Sequence, residues 1–305
     1  MDFVFSPEQD ALREAVRAFM LAEAPKEYVR RMAEHDDTGV APEVWGRIVE
    51  LGWTGLLVPE EQGGLGLDIV DAVVVQEEMG RALFPGPYFS SALLATLGAK
   101  ALGLDDQLAA LAGGRERGTV AFDEPGFGDP IARIRVRADG RGSRFKLDGT
   151  KPLVLDGHTA DWVLVPARTR EGLQTFLVEK PDAQLTASLD ITRKFARIEF
   201  EATSAQPVGP PGDHTEIWRR VADDAAVLLA AEVIGVLDVD NRLRIKNPTE
   251  VTAGTFGSIE DLSANYSQKV YGNPAVAMGE EAEKAAMPEN ENAETETGRG
   301  ETPAI

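Results

Sequence analysis

Six basic side chains crowd between residues 133 and 146: Arg133, Arg135, Arg137, Arg141, Arg144 and Lys146. The first three alternate with Ile134 and Val136, so a strand there puts their guanidiniums on one face, and an Asp-Gly-Arg-Gly turn sets the other three just across from them. A row of this kind either meets phosphates or an acidic partner, or is simply a solvated strand face. Just upstream, Glu124, Pro125, Gly126 and Gly128 have the composition of a tight turn between strands. His35, His158 and His214 share no ligand spacing and read as surface or turn residues rather than metal ligands. There is no cysteine, which removes thiolate nucleophiles, disulfides and sulfur-ligated zinc. Glu250, Glu260 and Asp261 have the setting of solvated surface acids.

These groups belong to a chain of 305 residues with 51 acidic and 31 basic side chains, a net charge of −20. That balance excludes a nucleic-acid binder acting through its overall field. With 43% hydrophobic residues the chain can bury real cores, and its length allows two or three domains. The start, MDFVFSPEQD, lacks the basic and apolar regions of a signal peptide, and no stretch approaches the roughly 18 apolar residues of a membrane span. The expectation is a cytoplasmic protein.

The elements that must position the chemistry fall into two kinds. Ser6 caps a helix with Pro7 at its first position and Gln9 completing a capping box; Leu12, Ala15, Val16, Phe19 and Met20 form its buried face, while Arg13, Glu14 and Arg17 point outward. Further helices are predicted from Pro42 to a stop at Gly52, from Asp68 through Leu83, and from Ser90 through Gly103. From Gly118 the period becomes two, and TVAFDE, ARIRVRA, RFKLDG, WVLVPAR, LQTFLVEK and ARIEFEA read as short strands of an antiparallel barrel or sandwich. Helix returns at Asp213 with an apolar stripe of Ile217, Val221, Ala225, Leu228, Leu229, Val233 and Leu237 that requires a partner.

The fold class is therefore α+β, with domains at 1–115 (a helical bundle), 116–210 (β) and 211–240 (the first helix of a second bundle). Residues 241–305 differ in composition: no asparagine occurs before residue 241 and six occur from Asn241 on, with a Glu-rich end. This segment reads either as a foreign or frame-shifted appendage or as an ordinary acidic extension, and its end as disordered for lack of apolar area.

The same layout, with particular motifs, resembles the acyl-CoA dehydrogenase family. LLVPEEQGGLGLDIVDAVVVQEEMGRAL at 56–83 is similar to the family's N-terminal signature, and FSPEQDALREAVRAF at 5–19, LDGTKPLVLDGHTADWVLVPART at 147–169 and LDITRKFARIEF at 189–200 match further stretches in order. The resemblance covers residues 3–238. It implies an oxidoreductase acting on CH–CH: FAD-dependent α,β-dehydrogenation of an acyl-CoA thioester, fatty or steroid-derived, in which a carboxylate takes the α-proton and flavin receives the β-hydride. It also implies an oligomer, and lets the basic row meet coenzyme A phosphates.

By the same resemblance the flavin-binding residues are Asp123, Glu124, Pro125, Gly126, Gly128, Asp129, Leu153, Val154 and Leu155. Here the sequence departs from the family. Asp123 and Asp129 stand where the family has Thr and Ser, and Leu153-Val154-Leu155 replaces Trp-Ile-Thr. Two hydroxyl donors become acceptors that repel phosphate, and the aromatic platform is gone. The family's catalytic Glu, carried by its C-terminal bundle, is not recognisable in this chain. Three readings stay open: a flavoprotein dehydrogenase, a degenerate non-catalytic subunit that partners a complete acyl-CoA dehydrogenase subunit, and a truncated inactive product.

Overall fold

The computed structural model describes residues 4–246 except Asp123, Pro125 and Phe127, with side chains as far as Leu237. Two compact units divide the chain, 1–242 and 243–305, and of the second only the end of the last helix is described. The expected disorder of the tail and the acids Glu250, Glu260 and Asp261 lie outside the described residues.

Helix α1 (Pro7–Glu23) starts at the expected capping box, with Ser6 Oγ accepting from Gln9 N and Gln9 Oε1 accepting from Ser6 N. It is followed by α2 (Lys26–His35), α3 (Pro42–Glu50) and α4 (Ile69–Ala82), the last capped by Asp68 and Asp71. An all-buried π-helical stretch, Tyr88–Ala95, runs directly into α5 (Thr96–Leu102), and α6 (Asp105–Ala112) closes the helical region. Helices α2 and α6 are not marked in the sequence reading because neither begins with a side-chain cap or a proline in its first turn, the signal that marks α1 and α3. The segment read as one helix from Ser90 starts at Tyr88, in π geometry.

Arg13 and Arg17 correct the expectation of an outward face. They turn toward α4, where Glu78, 1% exposed, takes both Arg17 and Arg81. Burial alone would raise the Glu78 carboxyl, but the Arg17 hydrogen bonds and the charges of Arg81, Arg17 and Arg13 outweigh it and hold it below the usual range. Ala15, conversely, is exposed. In the Gly-Gly-Leu-Gly turn, a Cβ on Gly64 would lie 2.1 Å from Val58 O, so only glycine lets the turn close on that strandless segment.

The β module has seven strands: β1 (Gly118–Val120), β2 (Arg137–Arg141), β3 (Arg144–Leu155), β4 (Trp162–Thr169), β5 (Gly172–Glu179), β6 (Ala183–Thr186) and β7 (Phe195–Val208). The ring β4-β2-β3-β7-β5 returns to β4, which makes it a closed barrel rather than a sandwich. It is not purely antiparallel, since β1 and β2 both meet β4 in parallel. Val136, Leu147, Val154, Val163, Val165, Phe176 and Ile198 fill its interior. Two local expectations change. The strand read over ARIRVRA begins only at Arg137, because a carboxylate takes the N–H groups of Arg135 and Val136 in place of a ladder partner. The hairpin turns at Gly142-Ser143, with Arg141 opposite Arg144.

Helix α7 (Thr215–Lys246) docks on both regions. Trp218 is fully buried, and its Nε1 donates to Thr175 Oγ1 at 2.9 Å. His214 is buried too, contrary to its surface reading: Nδ1 lies 2.9 Å from Thr175 Oγ1 and Nε2 2.7 Å from Pro210 O. The buried side of α7 is Trp218, Val221, Ala225, Leu228 and Ala231, whereas Leu229, Val233 and Leu237 of the expected stripe are exposed by 40%, 55% and 55%. Glycines set its approach to α4. A Cβ on Gly80 would fall 2.1 Å from Glu232 O and one on Gly235 2.0 Å from Glu77 O, so the two helices cross backbone to backbone. Among the described residues no helix is long and apolar enough to cross a membrane.

Candidate functional site

The loop at 124–129 and the end of β3 are joined by a buried ion pair. Lys151 Nζ lies 2.7 Å from Glu124 Oε1, with the two side chains 0% and 3% exposed. The same carboxylate accepts from Arg135 N at 2.6 Å and Val136 N at 3.2 Å. Glu124 is thus turned into the barrel wall, and a charged pair there is sustained only because its oxygens are this fully bonded. Arg133 straps the loop from outside, donating to Glu124 O at 2.9 Å and Gly126 O at 2.6 Å. Lys151 was not singled out by sequence reasoning, although alternation from Leu147 places it on the inward face, where a charge needs a partner.

Asp129 closes the loop. Its Oδ1 accepts from Ile131 N at 2.8 Å and its Oδ2 lies 3.3 Å from Arg219 on α7. The Ile131 hydrogen bond, helped by Arg219, holds this exposed carboxyl below its ordinary range, so it is ionised at neutral pH. Asp123 and Pro125 lie outside the described residues; Gly126 and Gly128 are exposed at φ 139° and 85°. Leu153 is 44% exposed, Val154 is in the barrel core, and Leu155 packs toward the helical core while its carbonyl accepts from Thr119 Oγ1 at 2.7 Å. The residues present do not fit a flavin pyrophosphate: an ionised Asp129 offers it no donor, and the exposed Leu153 offers no ring to stack on a flavin.

Directly after β3, Asp156 is buried at φ 50° and accepts from Ser90 Oγ of the π-helical stretch at 2.6 Å. Burial pushes its carboxyl above the usual range against the Ser90 hydrogen bond and the Arg193 charge. A raised acid is favourable to the fold while protonated, and that contribution is lost as pH rises from the unfolded carboxylate range through the folded value. Asp156→Asn, which keeps the acceptor and tolerates this backbone, should therefore be more stable than the parent at about pH 7, with the gain shrinking toward about pH 4. Thermal melts across that range would show it; a constant difference would refute the titration.

No group of three His, Asp or Glu side chains is placed to hold a metal among the described residues. His158 is half-buried and its Nε2 lies 2.6 Å from Asp37 O; His35 is exposed. On α7, the half-buried carboxylate Glu232 is engaged by Gln76 and Arg193, the latter stacked 5.6 Å from the Phe89 ring.

Residues 6–108 match the acyl-CoA dehydrogenase N-terminal domain. The acyl-CoA dehydrogenase IpdE2 of Mycolicibacterium smegmatis is 34% identical over 234 residues, which cover 75% of this chain and 61% of that protein. The mitochondrial long-chain specific acyl-CoA dehydrogenase of Mus musculus is 30% identical over 190 residues, 58% of this chain and 43% of that protein. The chain thus spans less than two thirds of the length of these relatives. Among solved structures, the Tcur3481-Tcur3483 steroid ACAD G363A variant superposes with a TM-score of 0.71 at 26% identity, covering 90% of this chain and 78% of that one. The signature's Gly64, Glu78 and Gly80 are each accounted for by a contact, and residues 6–108, which contain them, are an acyl-CoA dehydrogenase N-terminal domain.

Proposed function

We propose that this chain is a non-catalytic subunit of an acyl-CoA dehydrogenase assembly, holding no flavin of its own and pairing with a complete subunit. The observation that carries the reading is Asp129: at the position where the resemblance expects a hydroxyl donor to phosphate stands an ionised carboxylate tied to Ile131 N and Arg219. The exposed row Leu229, Val233 and Leu237 supports it, since apolar area on this scale is usually covered by a partner. The Tcur3481-Tcur3483 steroid ACAD, a structural relative, is itself named for two components. In this reading residues 1–115, 116–210 and 211–240 serve as helical, β and docking regions.

The alternative, a flavin-dependent dehydrogenase of an acyl-CoA thioester, has the retained signature and the Glu124–Lys151 frame in its favour. Colour separates the two. The full chain, expressed alone and purified, should be colourless and take up no flavin on incubation with FAD. A yellow protein with about one flavin per chain would restore the enzyme.

A further inference from the structure

We propose that the outer face of the barrel where β2 meets β4 binds a diphosphate-bearing small molecule. Arg137 and Arg168 are opposed across the β2–β4 pairing, and Arg135, just before β2, and Arg170, just after β4, flank them. With Ala138, Asp139 and Thr169 these four arginines line a depression of about 400 Å3. That is the size of a small-ligand site, widely open to solvent.

The arrangement is also prepared for an anion. Arg168 is half-buried, and its guanidinium is held in one plane by Ile134 O at 3.2 Å and Ile131 O at 3.0 Å, leaving further N–H donors unused. Arg135, Arg137 and Arg170 are exposed, and no carboxylate among the described residues forms an ion pair with them. One carboxylate, the exposed Asp139, shares the lining, so the four arginines outnumber it there. The nearby Asp213 is turned to the backbone, accepting from Thr215 N and Leu173 N. Four clustered cations on a chain of net charge −20 reverse the local field, and their mutual repulsion falls when an anion enters. Planar guanidiniums bind phosphoryl oxygens in pairs, so four of them match two linked phosphates better than one. The diphosphate could belong to a free nucleotide or to coenzyme A.

Titration calorimetry on the full chain at low salt, with inorganic pyrophosphate, ADP and coenzyme A in turn, tests this. Pyrophosphate should bind at one saturable site, weakened about tenfold or more by Arg137→Gln and by Arg170→Gln. Arg144→Gln, at the hairpin beyond the depression, should leave binding unchanged, and circular dichroism should show all three variants folded. Tighter binding of ADP or of coenzyme A than of pyrophosphate would identify the source. Absence of pyrophosphate binding, or equal weakening by Arg144→Gln, would overturn the site. So would retention of an acidic protein by a chain that ignores pyrophosphate.

Discussion

Lys151→Met should destabilise the folded chain by about 3–5 kcal/mol, the cost of leaving one member of a buried ion pair without the other. The lost partner is Glu124, whose carboxylate would keep its two backbone N–H donors but no counter-charge at 3% exposure. Adding Glu124→Gln should recover much of the loss. The amide oxygen still accepts from the backbone, and no charge remains buried. Urea unfolding of the two single variants and the double variant closes a thermodynamic cycle, and additive losses would show that the pair is not coupled. Because Lys151 stands two residues before Leu153, the Lys151→Met variant should also loosen the link between the loop and the end of β3.

Leu228→Asp should be nearly as damaging, by several kcal/mol, because it places an unpaired carboxylate at a position with 0% exposure in the main apolar core. Val233→Asp, five residues further along α7 on its other side and 55% exposed, should leave the isolated chain's stability within about 0.5 kcal/mol. Its effect should appear only with a partner: co-expression with a complete dehydrogenase subunit should raise the yield of soluble parent chain and not of Val233→Asp. The contrast separates the side of α7 used for folding from the side proposed for association. Equal thermal stability of Leu228→Asp and the parent would refute the docking described for α7.

The sequence conveys much of this architecture because local rules and tertiary packing agree in most of the chain. The Ser6–Gln9 box, the stop at Gly52 and the change of period at Gly118 all appear where their physics places them. What it does not convey is direction around an axis. Leu228 and Leu229 are equally apolar, and only the position of α4 and the barrel decides which is buried. Arg13 and Arg17 look like solvated charges until Glu78, far along the chain, is brought beneath them. At the site, the substitutions of Asp129 and Leu153 are visible in the sequence, but Lys151, which ties the two segments together, is visible only as an inward lysine lacking an evident reason.

The crossing of α4 and α7 at Gly80 and Gly235 has a consequence for recognition. A helix advances about 100° per residue, so fixing which residue touches α4 also fixes the bearing of every other side chain on α7. With Gly235 against Glu77 O, the row of Leu229, Val233 and Leu237 is left on the exposed side. The crossing therefore works as a compass setting for a surface on the far side of the helix. Any side chain at Gly80 would turn or lift that surface while changing none of its residues, and the injury would be felt first by the partner.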